Sequence, residues 1–478
     1  MTTTDGAAPS PQTRVPAAEP FLWGVSTSSF QIEGASHVDG RGDSIWDSYC
    51  RQKGRIKNGD TGDIACDHYH RYREDIAMMH DIGVGAYRFS ISWPRVLPRG
   101  RGAANEAGLD FYDRLVDALL AAGIEPWICL YHWDLPQALQ DLGGWQNRDI
   151  AGWFADYAAL AAHRFGDRVK RFATFNEPCV FTLFGYGLGW NAPGIADKAA
   201  LHRAIHHVNL SHGRAIDVLR QSVTGASLGA IHNRQPCYPV TTREEDVAAT
   251  RRFAPYWNDA FPYPQHFAHY PLELAEAIEP YVKPGDMAQI ARPVDWFGLN
   301  HYSPHYVKAD SNPIGAGFGA PPDGVHRTVI GWPIIPDAFR DTLLDIHRRF
   351  RLPIYVLENG TAADDKPDDT GRVQDTTRIA YLDAYTRAMQ EAMRAGADVK
   401  GYFVWSLLDN FEWASGYSQR FGLVHVDFAT QKRTPKASAN WYSDLIRSAR
   451  RSQIAADRAG LDNVTATPGA MAASTVSS

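Results

Sequence analysis

Apolar residues recur along this chain in two alternating rhythms: a spacing of three or four, then a short continuous run. Tyr69, Tyr72, Ile76 and Met79 share one helical face, Gly83 ends that helix, and Ala86–Ile91 follows as a strand. Tyr112, Val116, Leu119 and Leu120 repeat the stripe, Gly123 stops it, and Pro126–Tyr131 is the next strand. Helices over 149–165 and 377–395 stop at Gly166 and Gly396 and lead into strands over 171–176 and 401–406. Leu22–Ser26, Ser227–His232, Trp296–Asn300 and Pro353–Leu357 complete a set of eight strands. Strands alternating with helices imply a parallel sheet, and eight such units predict a single (β/α)8 TIM barrel with elaborated loops at the C-terminal face. A doubly wound open sheet is the rival, but no GxGxxG or GxxxxGK[ST] follows any strand to cradle a phosphate. Small and polar residues dominate 1–19 and 453–478, which are expected to be disordered tails around a barrel domain at 20–452.

In such a barrel, chemistry gathers at the C-terminal ends of the strands. Here those ends carry Arg88, then Tyr131-His132-Trp133, Asn176-Glu177, Asn300-His301-Tyr302, Glu358-Asn359-Gly360 and Trp405. Polar and aromatic side chains therefore converge on one face, where turn formers would be ordinary. Composition narrows the partner. The 48 basic and 54 acidic residues leave a net charge of −6, which argues against nucleic acid or an anionic membrane. The 14 Trp and 21 Tyr include enough rings both to anchor a large core and to stack on a flat ligand or a sugar face. Five scattered cysteines without CxxC spacing suit reduced thiols in a cytoplasmic protein, and neither a signal peptide nor a membrane-spanning run is evident.

Two glutamates stand out. Glu177 and Glu358 each follow an apolar strand and precede a turn, and a carboxylate in that setting is costly without a partner or a task. Two carboxyls at one barrel mouth fit the machinery of glycoside hydrolysis, in which one protonates the leaving oxygen and the other attacks the anomeric carbon or activates water. The bland alternative is a pair of salt-bridged strand ends.

At this point the segments FLWGVSTSSFQIEGA (21–35), RFSISWPRVLP (88–98), YHWDLPQAL (131–139), TFNEP (174–178), GLNHYSPHYV (298–307), ENG (358–360), WSLLDNFEW (405–413) and RFGLVHVD (420–427) resemble glycoside hydrolase family 1, the β-glucosidase family, from Phe21 to Trp441. The resemblance implies a retaining exo-β-glycosidase, most simply a β-glucosidase. Glu177 of the NEP motif would be acid/base and Glu358 of the ENG motif the nucleophile, with carboxyls about 5–5.5 Å apart. Arg88 and the Tyr302 hydroxyl would stand beside Glu358, so that the two carboxyls titrate apart. Gln31, His132, Asn176, Glu412 and Trp413 would bind the sugar hydroxyls, Asn176 the 2-hydroxyl. Trp405 would be the stacking floor and Trp332 would flank the aglycone entrance.

Glu412 replaces the Ser typical of relatives acting on 6-phosphorylated sugars, and Gln419 and Phe421 stand where those relatives carry Lys and Tyr. An unphosphorylated β-glycoside or oligosaccharide is therefore the expected partner. Glu177, in place of the Gln of thioglucosidase relatives, points to ordinary O-glycosides. Leu357 and His301 depart from the usual Thr or Ser and Tyr, which puts the surroundings of the catalytic groups in question. No cofactor and no metal are implied; His68 with His70, and His206, His207 and His212, sit in helical stretches. The run 241–253 reads as a solvated helix face, and 308–330 as a long loop over the barrel mouth. A transglycosylase on the same scaffold and a non-catalytic sugar-binding barrel are the competing functions. The aglycone, the choice among glucose, galactose and fucose, and the oligomeric state are left open.

Overall fold

A computed structural model describes the backbone of residues 20–465 and the side chains of residues 20–452. Eight strands close into a barrel: β1 (Leu22–Ser26), β2 (Ala86–Ser90), β3 (Glu125–Tyr131), β4 (Arg171–Asn176), β5 (Ser227–Asn233), β6 (Trp296–Asn300), β7 (Ile354–Asn359) and β8 (Val399–Trp405). Every neighbouring pair is parallel and follows chain order, with β1 against β8 completing the ring. One main helix follows each strand: α1 (His68–Ile82), α2 (Glu106–Ala121), α3 (Ile150–Phe165), α4 (Lys198–Ser222), α5 (Glu244–Asn258), α6 (Pro336–Phe350), α7 (Thr376–Arg394) and α8 (Ala437–Thr465). The barrel read from the alternating rhythms is the fold observed, with strand ends within two residues of those expected.

The N-terminal half of the barrel interior is plugged by rings. Trp127 lies 4.8 Å from Tyr355, 5.4 Å from Trp296 and 5.5 Å from Phe403 between ring centroids. Successive strand residues alternate between faces, so two steps up from the plug residue Ala86 the interior position is Arg88. The aromatic plug thus closes one end and leaves polar groups to line the other.

Two irregularities aim the strand ends. On β4 the register against β5 passes from Ala173↔Gly229 to Asn176↔Ile231, so one extra residue enters β4 just before Glu177. On β7 the register against β6 passes from Val356↔Leu299 to Glu358↔Asn300, again one extra residue. A bulge of this kind bends the strand and redirects the side chain that follows.

Two expectations need correction. The boundary at 452 falls inside α8, which runs on to Thr465; the three alanines at 455, 456 and 459 are strong helix formers. The expected tails at 1–19 and 466–478 lie outside the described residues. The run at 241–253 carries the solvated helix face expected, with Arg243, Glu244 and Glu245 exposed, while the other side of α5 buries Ala249 and Phe253. The segment 308–330 contains a short strand, Ala316–Phe318, paired with His305–Ala309. Among the described residues no helix is long and apolar enough to cross a membrane.

Candidate active site

The barrel mouth opens into a cavity of about 410 Å³ lined by Glu177, Glu358, His132, Tyr302, Trp332, Trp405, Glu412 and Trp413 among others. Eight of the eleven residues singled out from the sequence therefore share one wall. Arg88, Gln31 and Asn176 are fully buried behind it.

Glu358 is held from both sides. Arg88 donates to Oε1, and the Tyr302 hydroxyl donates to Oε2 at 2.5 Å. The guanidinium balances a carboxylate that would be costly to bury alone. Arg88 also donates to the Leu357 carbonyl at 3.3 Å and to His132 Nδ1 at 3.1 Å. A guanidinium cannot accept, so His132 Nδ1 accepts and Nε2 carries the hydrogen. Burial first, and then Arg88, hold this imidazole neutral, well below the usual histidine range.

Glu177 stands in a different environment. It follows β4 in the left-handed region, at φ 49° and ψ 59°, directly before Pro178. That conformation is strained for a residue with a side chain and persists only where its surroundings over-determine it. Its backbone N–H donates to Ile231 of β5 at 2.8 Å. Oε1 accepts from Asn233 Nδ2 at 2.7 Å and from Asn300 Nδ2 at 2.9 Å. Burial, and then the negative charge of Glu358, push its pKa up to about 8. Trp133 and Trp413, the other described non-glycine residues that line the cavity with positive φ, are at 79° and 49°.

The sugar-facing groups form a connected wall. Asn176 Nδ2 lies 3.2 Å from His132 Nε2, so two donors stand side by side, and Asn176 Oδ1 accepts from Asn300 at 3.0 Å. Gln31 directs its amide nitrogen at Asn410 Oδ1, the Phe411 carbonyl and Glu412 Oε2, at 3.0, 2.9 and 3.4 Å. Gln31 thus orients Glu412 instead of presenting a free amide. Burial, then the charges of Glu358 and Glu177, push Glu412 up to about 8. Trp413 stacks on Trp133 at 4.5 Å, and the Trp405 ring stacks on His132 at 5.8 Å.

The outer end of the cavity is aromatic: Phe184, Trp190, Trp257, Tyr306, Phe318 and Trp332 line it. Trp332 packs 5.3 Å from Tyr302 and 5.9 Å from Phe421. Apart from Trp332, sequence reasoning did not single these rings out, and it missed Asn233. The apolar run of the fifth strand ends at His232, whereas β5 runs one residue further.

The two departures are accommodated away from the cavity. Leu357 packs in the barrel interior and lends only its carbonyl, which accepts from Ser26 at 2.6 Å as well as from Arg88. His301 points outward, 5.1 Å from the Phe339 ring, and donates from Nδ1 to the Arg234 carbonyl at 2.9 Å. The histidine groups weighed as metal ligands are occupied differently: His68 bonds Asp75, His70 bonds Asp67, and His206 bonds Tyr270 and Asp286.

Comparison with known proteins agrees with this geometry. The chain is 46% identical to β-glucosidase A of Thermotoga maritima over 90% of its own length and 97% of the relative's. It is 41% identical to the bifunctional β-D-glucosidase/β-D-fucosidase of Bifidobacterium breve, over 89% of this chain and 97% of that one. The structure of the Thermotoga maritima β-glucosidase in complex with glucoimidazole superposes with a TM-score of 0.86 at 45% identity, covering 90% of this chain and 99% of that one. The same enzyme in complex with deoxynojirimycin gives 0.85 at 44% identity, covering 91% and 99%. Residues 13–451 match glycosyl hydrolase family 1, and the chain belongs to that family.

Proposed function

We propose that this family 1 protein is a retaining β-glucosidase in which Glu358 is the nucleophile and Glu177 the acid/base. The observation that carries the assignment is the contrast between the two carboxyls of one cavity. Glu358 faces a guanidinium and a phenol, whereas Glu177 has only neutral amide donors and is pushed up to about 8. At neutral pH the first suits an anion and the second a neutral acid.

In the first step a Glu358 oxygen attacks C1 of the β-glucoside and forms an ester to the anomeric carbon. The C1–O bond to the aglycone breaks, and Glu177 gives its proton to the departing oxygen. In the second step Glu177, now a carboxylate, takes a proton from water as that water attacks C1. The ester breaks, Glu358 returns as carboxylate, and β-glucose leaves. Tyr302 and Arg88 hold Glu358 in line for attack. Arg88 fixes the His132 tautomer, so His132 Nε2–H and Asn176 Nδ2 present paired donors that a sugar hydroxyl oxygen satisfies. Glu412, oriented by Gln31, takes hydroxyls at the far edge of the ring, with Trp405 and Trp413 as apolar walls and Trp332 at the aglycone entrance.

Among the described residues no Lys or Arg lines the cavity, so a phosphorylated sugar would find no countercharge there, and unphosphorylated β-glucosides are the substrate class. The cytoplasm is the expected compartment. The test is Glu358→Gly. Hydrolysis of nitrophenyl β-glucoside should fall by about four orders of magnitude or more. Azide should restore turnover and give the α-glucosyl azide. Near-normal hydrolysis in this variant would overturn the assignment.

A further inference from the structure

We propose that Asn233 is a positioning residue that confines the acid/base proton to Oε2 of Glu177, and that Gln235 and Trp257 lock the Asn233 amide for this task. The proposal rests on Glu177 being the acid/base.

The two ends of an asparagine amide have nearly the same shape, so its partners decide which way it points. Asn233 Oδ1 faces two N–H groups, Gln235 Nε2 at 2.6 Å and Trp257 Nε1 at 3.1 Å. An indole N–H can only donate, so Oδ1 must face it and Nδ2 must face Glu177 Oε1, 2.7 Å away. Asn300 brings a second N–H to the same oxygen at 2.9 Å. A proton on Oε1 would therefore meet two donors, whereas Oε2 has no partner among the described residues. Gln235 is itself pinned: its N–H donates to Asn258 Oδ1 and its carbonyl accepts from Asn258 Nδ2, both at 2.9 Å. Its own Oε1 accepts from the Ser303 N–H at 3.3 Å. Asn233, Gln235, Trp257 and Asn300 are all buried. Trp257 also lines the outer end of the cavity, its ring 4.3 Å from that of His305. One hydrogen-bonded series thus runs from the aglycone wall to the acid.

The experiment measures kcat/KM over β-glucosides of graded leaving-group ability, from 2,4-dinitrophenyl to alkyl, for the wild type, Asn233→Asp and Trp257→Phe. Asn233→Asp keeps the size and both bonds to Oδ1 but puts an oxygen opposite Oε1, drawing the proton to that side. Alkyl glucosides need the acid and should slow by about 10–100-fold, while the dinitrophenyl glucoside should change by less than about 3-fold. The alkaline limb of the pH profile should move to higher pH, because the new carboxyl disfavours the charged form of Glu177; Glu358, Arg88 and Glu412 also face it and are unchanged. Trp257→Phe keeps a ring in the wall and removes one lock, so it should show the same leaving-group bias more weakly. Equal losses across the series, or none, would overturn the proposal. Glu177→Ala, measured in parallel, separates the two claims: if it too lacks a leaving-group bias, the acid/base assignment fails; if it has one and Asn233→Asp does not, only the Asn233 proposal fails.

Discussion

The cavity has two ends built by different means. At the sugar end, side chains from separate strands hold one another: Arg88 of β2 reaches Glu358 of β7, and Asn300 of β6 reaches both Asn176 at the end of β4 and Glu177 directly after it. At the aglycone end the walls come largely from connecting segments, with Phe184, Trp190, Trp257 and Phe318 packed ring against ring. Trp190 is 44% exposed at the rim, whereas Glu358 is 3% exposed. The first end fixes atoms to hydrogen-bond tolerance, which bond making and breaking require. The second offers area without direction and can shape affinity for an aglycone but not the reaction. Substitutions at the two ends should therefore differ in kind as well as in size.

After Glu358→Gly, the largest effect in this comparison belongs to Glu177→Ala. Alkyl glucosides should lose about 1,000-fold in kcat/KM, because their leaving group needs the proton. With the dinitrophenyl glucoside the first step should survive and glycosyl-enzyme should accumulate, visible as a burst of dinitrophenolate. The wild type gives the pH counterpart. Glu177 is pushed up to about 8, so it is protonated below that pH and loses its proton above it. Activity on alkyl glucosides should fall as pH rises through about 8. A flat profile to pH 10 would show that no group titrating there is needed.

How far each end was legible follows from its construction. The eight strands announce themselves because a helical stripe, a stop glycine and an apolar run recur in order. Glu177 and Glu358 stand out because a charge at an apolar strand end is locally anomalous. The bulges that aim them leave no trace, since an extra residue in β4 or β7 changes neither composition nor rhythm. Asn233 escaped for a related reason. In IHNRQP it is one polar residue among several, and only the partners at Glu177, Gln235 and Trp257 distinguish it. The aglycone rings lie on segments that follow three different strands, Trp257 on helix α5, so no local pattern could bring Phe184, Trp257 and Phe318 together.

A middle effect is expected from Glu412→Gln, still at the sugar end. The amide keeps the shape and the bond from Gln31 but loses the acid. Activity on unphosphorylated glucosides should drop by about 10–100-fold, as when one hydrogen-bonding partner of a bound hydroxyl is mismatched. Because Glu412 is also pushed up to about 8, this variant tests which group shapes the alkaline limb. The limb should persist in Glu412→Gln, since Glu177 is untouched. Its disappearance would transfer the limb to Glu412 and remove the pH argument for Glu177.

The smallest effect should come from the aglycone end, and it sharpens the contrast most. Phe318 sits on the short strand Ala316–Phe318, opposite Val307. Its ring lies 4.8 Å from that of His305, 5.3 Å from Phe253 and 6.0 Å from both Phe184 and Trp257. Phe318→Ala removes one face of the wall, and a ring contact of this type contributes about 0.5–1.5 kcal/mol. KM for glucosides with an aromatic aglycone should therefore rise by about 3–10-fold. Methyl β-glucoside, which reaches little past the cleaved bond, should be unaffected. Release of glucose from the glycosyl-enzyme should also be unchanged, because the aglycone has already left. If methyl β-glucoside instead loses activity, and loses more than the dinitrophenyl glucoside, Phe318 acts by holding Trp257, and through it Asn233, in place. The two ends would then be mechanically joined, and the division into a reacting end and an affinity end would fail.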